Sequence, residues 1–262
     1  MTGIVGHSPY LLPRQRDPDP AALRLLCFHH AGGAASSFAQ WQTALGSSVA
    51  VIPVQLAGRE HRAREPRVHD FDQLVDDLDD ALDPLLGQPF ALYGHSLGGM
   101  IAYALTRRRF VLGRRLPEQL LVGACPPPHA PRHQVPAAQV SDDELTRWMR
   151  DLGGMPDQML QYPQWLHRMT ALLRDDLRLA QSRPASESGP LSVPLPVPLR
   201  VLTGSADSLL TSQEAHEWER YTSADCRVFT LPGGHFFHRE SPTFTLRLVG
   251  SLLSATAGVG RS

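Results

Sequence analysis

The stretch Phe90-Ala91-Leu92-Tyr93-Gly94-His95-Ser96-Leu97-Gly98-Gly99 decides how this chain is read. Its first four residues suit a buried strand. They run into Gly-x-Ser-x-Gly, and the apolar, helix-compatible run Met100-Ile101-Ala102-Tyr103-Ala104-Leu105 follows at once. Strand, tight turn and helix around that pattern make a nucleophile elbow, which holds a serine at a strained backbone angle beyond the carboxyl end of a sheet. Gly94 and Gly98 let the backbones of the turn close on one another, because glycine has no Cβ to interpose. The helix N-terminus beneath the serine oxygen favours the negative charge that develops during acyl transfer. With glycine near 7% of residues, a bare Gly-x-Ser-x-Gly turns up in roughly one chain in ten of this length. The flanking strand and helix are what give Ser96 its weight.

Upstream, Leu23 to Phe28 reads as a strand ending in His29-His30-Ala31-Gly32-Gly33. A glycine-rich turn after an early strand is where proteins with a nucleophile elbow build the other half of the oxyanion hole. The backbone N–H groups of Ala31 and Leu97 are therefore the expected pair of donors. His29 and His30, adjacent on an extended segment, point to opposite faces and so do not chelate a metal together. Val49 to Val54 is a second strand. Gly58 to Pro66 is charged and reads as a solvated loop. Phe71, Leu74, Val75, Leu78, Leu82 and Leu85 then mark one face of a helix, and the aspartates between them read as its solvated face.

Downstream, Gln119 to Ala124 is another strand, and there the pattern changes. Residues 125–198 hold no convincing strand; Pro126-Pro127-Pro128 opens the segment and four prolines between 190 and 198 close it. Asp142 to Leu152 and Trp165 to Gln181 read as helices, expected to form a mobile lid over the active site. Four of the six methionines, Met149, Met155, Met159 and Met169, lie in this insert. Methionine suits adaptable apolar surfaces, and these four are the expected substrate-facing residues. Leu199 to Thr203 resumes the sheet and ends in Gly204-Ser205-Ala206-Asp207. Ser212 to Tyr221 is a helix with Ser212 as its cap. Cys226 to Leu231 is the last strand, followed by Pro232-Gly233-Gly234-His235, and Phe244 to Leu253 closes the chain as a helix.

Alternating strands and helices imply an α/β protein with a mostly parallel, doubly wound sheet. The expected organisation is a loose extension over 1–20, a core over 21–124 and 199–254, a helical lid insertion over 125–198, and a flexible tail over 255–262. Ser96, Asp207 and His235 each stand just beyond a strand, in the chain order of a serine hydrolase triad. In a parallel sheet those strand ends meet at one edge. His95, beside the nucleophile, is expected to point away from its base. The roles follow: His235 takes the proton of Ser96, and Asp207 fixes the imidazole tautomer. Such chemistry needs neither a metal nor an organic cofactor, and by itself leaves ester, thioester and amide substrates open.

Composition narrows the setting. The 262 residues carry a formal net charge of −1, so no bulk attraction to nucleic acid or to a membrane is implied. Every one of the 25 basic residues is arginine. Three widely spaced cysteines define no disulfide framework and fit a reducing cytoplasm. No apolar run reaches transmembrane length.

His30-Ala31-Gly32-Gly33, Gly94-His95-Ser96-Leu97-Gly98-Gly99, Leu152-Gly153-Gly154, Leu173-Arg174-Asp175-Asp176 and Pro232-Gly233-Gly234-His235-Phe236-Phe237 together resemble the type II thioesterases, stand-alone α/β-hydrolases that accompany polyketide and nonribosomal peptide synthases. The resemblance covers nearly all of Leu23 to Leu253. It implies a serine thioesterase that removes aberrant or stalled acyl groups from the phosphopantetheine arm of an acyl- or peptidyl-carrier protein, acting as a monomer in the cytoplasm. A small-molecule esterase or an acyltransferase with the same triad is the alternative. Because carrier proteins are typically acidic, the arginines at 107, 108, 109, 114 and 115 are an expected encounter surface.

Overall fold

The computed structural model describes residues 8–13, 23–130, 140–155, 157–183 and 193–259. Six strands form one sheet: β1 (Leu23–Phe28), β2 (Val49–Val54), β3 (Phe90–His95), β4 (Gln119–Gly123), β5 (Leu199–Gly204) and β6 (Cys226–Leu231). Their order is β2-β1-β3-β4-β5-β6 and every pair is parallel. The elbow strand β3 therefore lies inside the sheet, with Gly94 opposite Phe28 and His95 opposite Gly123. Chain order reverses between β1 and β3, and a parallel sheet opens a crevice at such a switch point, beyond the carboxyl ends of its strands.

The sheet is covered on both faces, as parallel sheets are. Successive side chains of a strand point to opposite faces, and β1 divides accordingly. Leu26 and Phe28 join a core with helices α2 (Phe71–Leu86) and α3 (Leu97–Val111). Leu25 and Cys27 join a second core with α1 (Trp41–Leu45) and the long terminal helix. The helix following β3, α3, is buried on nearly all sides, from Leu97 and Gly98 through Ile101, Ala102 and Leu105 to Arg109. Residues of the insert make a third apolar cluster, built from α4 (Asp142–Asp151), α5 (Pro163–Ser182) and Phe236. Among the described residues of 125–198 no strand occurs; one isolated bridge pairs Leu195 with Thr222.

Several sequence expectations are modified. Within the supposed loose extension, Tyr10 is buried: its carbonyl accepts from the Gln55 N–H at 2.8 Å and its ring lies 4.6 Å from the Arg62 guanidinium. Residues 1–7 and 14–20 lie outside the described residues. Thr211, not Ser212, caps α6 (Ser212–His216), in a reciprocal capping box with Glu214; a 3-10 turn over Glu217–Tyr221 completes the expected helix. The short α7 (Phe237–Glu240) precedes α8 (Pro242–Val259), which extends through most of the supposed tail, while residues 260–262 lie outside the described residues.

The aspartate face of α2 is not wholly solvated. The Asp79 side chain is fully buried and its carboxylate accepts from Arg109 at 2.6 Å and Arg114 at 2.8 Å. Arg108 pairs with Asp76, and Arg115 with Glu118 at 3.0 Å. Three arginines at and just beyond the end of α3, Arg108, Arg109 and Arg114, are thus paired with carboxylates of α2, and the buried Arg109–Asp79 pair avoids the cost of burying a charge without a partner.

Candidate active site

The elbow has the geometry its sequence demands. Ser96 sits at φ 54° and ψ −115°, outside the ordinary regions for an L-residue. A Cβ on Gly94 would come within 2.0 Å of the Gly98 carbonyl oxygen, and a Cβ on Gly98 within 2.1 Å of the Phe28 carbonyl oxygen. Both positions therefore require glycine for the turn to close against β1. The Ser96 N–H donates to the Gly123 carbonyl at 2.8 Å, and the Ser96 carbonyl accepts from Gly99 N–H at 2.8 Å. These bonds hold the strained residue between β4 and the first turn of α3.

Asp207 follows β5 and His235 follows β6, and the sheet brings them together. The Nδ1–H of His235 donates to both carboxylate oxygens of Asp207, each at 3.1 Å. One of those oxygens also accepts from the Leu209 N–H at 2.9 Å, which fixes the carboxylate in its turn. The Asp207 side chain is fully buried and that of His235 nearly so. With Nδ1 carrying the proton, the neutral imidazole keeps Nε2 as a base. Ser96 and His235 line the same cleft, together with Ala31 and Leu97. Among the described residues, neither the Ala31 nor the Leu97 N–H donates to an acceptor. For Leu97 this follows from its place as the first residue of α3.

The cleft encloses about 780 Å³, its open mouth included, and is mainly apolar. Its far wall comes from Pro126, Pro127, Trp148, Leu177, Ala180 and Leu209. None of the four methionines lines it. Met149 and Met155 are buried in the cluster between α4 and α5, and Met159 and Met169 pack against that cluster. They hold the insert together, and the neighbouring faces of α4 and α5 meet the cleft.

Two further groups escaped the sequence reading. His95 does not turn away from the base: its Nε2–H donates to the His235 backbone carbonyl at 2.8 Å, and its Nδ1 accepts from the Tyr93 hydroxyl at 3.1 Å. It belongs to a buried group with His30, Phe236 and His238, with the His95 and His238 rings 3.9 Å apart. Burial lowers the pKa of His29, His95 and His238 well below the ordinary value, and that of His30 to about 4. Arg59 and Asp176 are the other group. The supposed solvated loop instead sends Arg59 inward, to a bidentate pair with Asp176 of α5 at 2.7 Å for both bonds. A carboxylate on the stripe that also buries Thr170, Leu173 and Leu179 was the available signal.

The cysteines are not competing nucleophiles. Burial raises the Cys27 thiol, and pushes Cys125 up to about 12 and Cys226 to about 11, so none is a thiolate at neutral pH. No helix of the described residues is long and apolar enough to cross a membrane.

A parallel sheet with a serine elbow at its switch point and an acid–histidine pair beyond later strands defines an α/β-hydrolase. Within that class the chain belongs to the thioesterase family, whose domain model matches residues 23–252. It is 34% identical to RedJ, a thioesterase of the prodiginine pathway of Streptomyces coelicolor; the structures superpose with a TM-score of 0.80 over 92% of this chain and 91% of that one. BorB, the type II thioesterase of the borrelidin cluster, is 33% identical with a TM-score of 0.81, over 94% and 99% of the two chains. The gramicidin S biosynthesis protein GrsT of Aneurinibacillus migulanus is 31% identical over 84% of this chain and 85% of its own.

Proposed function

We propose that the protein hydrolyses acyl thioesters carried on the phosphopantetheine arm of acyl- or peptidyl-carrier proteins, releasing aberrant or stalled acyl units in polyketide or nonribosomal peptide biosynthesis. Ser96 Oγ attacks the thioester carbonyl as His235 Nε2 takes its proton. The resulting oxyanion sits between the N–H groups of Ala31 and Leu97. His235 then protonates the departing thiol, and afterwards removes a proton from the water that cleaves the acyl-enzyme. Asp207 holds the tautomer that makes Nε2 the base and stabilises the imidazolium. Residues 125–198 act as the lid, and their apolar wall receives the acyl chain. Three unpaired cysteines support a cytoplasmic setting.

The observation that carries the reading is the commitment of His235 Nδ1 to Asp207 at the edge of an apolar cleft that also holds the strained Ser96. The test is kcat/KM for one acyl group on a carrier protein and on free coenzyme A. Preference for the carrier is expected. Equal use of both removes carrier recognition, and turnover confined to oxygen esters removes thioester hydrolysis.

A further inference from the structure

We infer that Asp176 is a positioning residue: the lid helix α5 supplies the carboxylate that sets the oxyanion loop, with Arg59 as its brace. The inference rests on the reading of Ala31 as an oxyanion donor. Its basis is a set of contacts among four residues. Asp176 Oδ2 accepts from the Gly32 N–H at 2.7 Å and from Arg59 Nη1 at 2.7 Å, while Oδ1 accepts from Arg59 Nη2 at 2.7 Å. The same Nη1 donates to the Gly33 carbonyl at 3.0 Å. One buried ion pair thus grips the loop by a donor and by an acceptor on successive residues.

The Ala31 N–H shares its peptide plane with the His30 carbonyl, which accepts from the Gly33 N–H at 2.9 Å, and the next plane joins it at the Ala31 Cα. The Ala31 carbonyl and the Gly32 N–H belong to that next rigid plane. That plane is fixed at both ends: the Ala31 carbonyl accepts from His30 Nδ1–H at 3.0 Å, and the Gly32 N–H donates to Asp176. Gly32 is at φ +73°, a conformation open to several alternatives in a glycine, so an outside restraint is what selects one of them. Leu173, one turn before Asp176, lies 3.5 Å from where a Gly32 Cβ would stand, so α5 rests directly on the loop. A shift of α5 therefore moves the loop. Oxyanion stabilisation requires donors already aimed at the developing charge, so hydrolysis is tied to a seated α5.

The adjacent residue provides a control. Asp175 also ties α5 to the segment after β2, through Arg67 at 2.5 Å, but this pair is partly exposed and Asp175 makes no bond to the oxyanion loop. The experiment compares Asp176→Asn with Asp175→Asn, reading kcat and KM separately on an acyl N-acetylcysteamine thioester, which needs no carrier, with thermal midpoints alongside. Asp176→Asn is expected to lower kcat by about 10², with KM within about threefold, and Asp175→Asn to leave both within about threefold. A folded Asp176→Asn protein with kcat within threefold of wild type overturns the inference. So does an equal loss in Asp175→Asn, or a loss confined to KM. Should Asp176→Asn not fold, Asp176→Glu keeps the charge but lengthens the arm: a folded protein with reduced kcat supports the inference, while wild-type kcat, or failure to fold here too, overturns it. Running a p-nitrophenyl ester in parallel keeps the claims apart, because a contrast between the two aspartates on the ester stands even where the wild type hydrolyses no thioester.

Discussion

The elbow and helix α5 border the same cleft, but different ranges of sequence build them. In the elbow, the strained angle of Ser96 depends on residues within two positions of it, closed against β1 and β4. In α5, the positions facing the cleft and those facing the oxyanion loop depend on partners more than 100 residues away, Arg59 and Arg67 among them. Reacting groups can thus be specified by short rules, because each needs only one backbone conformation. The shape around them is set by long-range packing.

This contrast is broken most directly at the elbow. Ser96→Ala is expected to leave the fold in place and to lower turnover by about 10⁴ to 10⁶. A folded variant that keeps a tenth of wild-type turnover would show that the strained serine is not the nucleophile. Asp207→Asn comes next, with an expected loss of about 10⁴ in kcat, because an amide cannot hold the tautomer that leaves Nε2 basic. Near-normal kcat in that variant would separate the Asp207–His235 bonds from catalysis.

How much was legible follows the same division. The six strands, their parallel arrangement and the meeting of Ser96, Asp207 and His235 at one edge could be read from apolar runs and the glycine punctuation after them. The methionines could not be placed. Periodicity shows that a helix has an apolar face, but not whether that face meets substrate or a neighbouring helix; here it meets a neighbouring helix. Charge misled in the same way. Asp79, Arg59 and Arg109 look like surface residues in sequence, and each is buried against a partner remote in the chain. The bonds that tie the insert to the core were not legible either: α5 is joined to it by Asp175, Asp176 and the Ser182 hydroxyl, which accepts from the Phe71 N–H at 3.1 Å.

The histidines around the elbow sharpen the comparison through pH. His29, His30, His95 and His238 are neutral in the folded protein because burial disfavours the cation. Their folded-state pKa lies below the unfolded value near 6.5, so the unfolded chain binds the extra protons. Stability is therefore whole above pH 6.5 and is lost as pH falls below it, the His30 share disappearing by about pH 4. Urea midpoints at pH 7, 6 and 5 should fall progressively. His238→Leu should flatten that fall, since both His238 ring nitrogens are buried without a hydrogen-bond partner among the described residues. An unchanged slope in the variant would mean that His238 titrates normally in the folded state.

The smallest expected effect tests the α5 side of the cleft, and it requires two substitutions read together. Leu177 lines the cleft and Met155 does not, although both belong to the apolar cluster of the insert. Leu177→Trp places bulk where the acyl chain is proposed to lie. Long-chain thioesters should lose about tenfold or more in kcat/KM relative to acetyl, in the range that a methylene or two contributes in an apolar pocket. Met155→Trp places similar bulk inside the packed cluster, so its cost should appear as stability, about 1–3 kcal/mol of overpacking, with the chain-length ratio unchanged. Measuring that ratio and the thermal midpoint for both variants decides between the two walls. Were Met155→Trp to change chain-length preference while Leu177→Trp did not, the acyl chain would run between α4 and α5, and the methionine face would be the substrate surface.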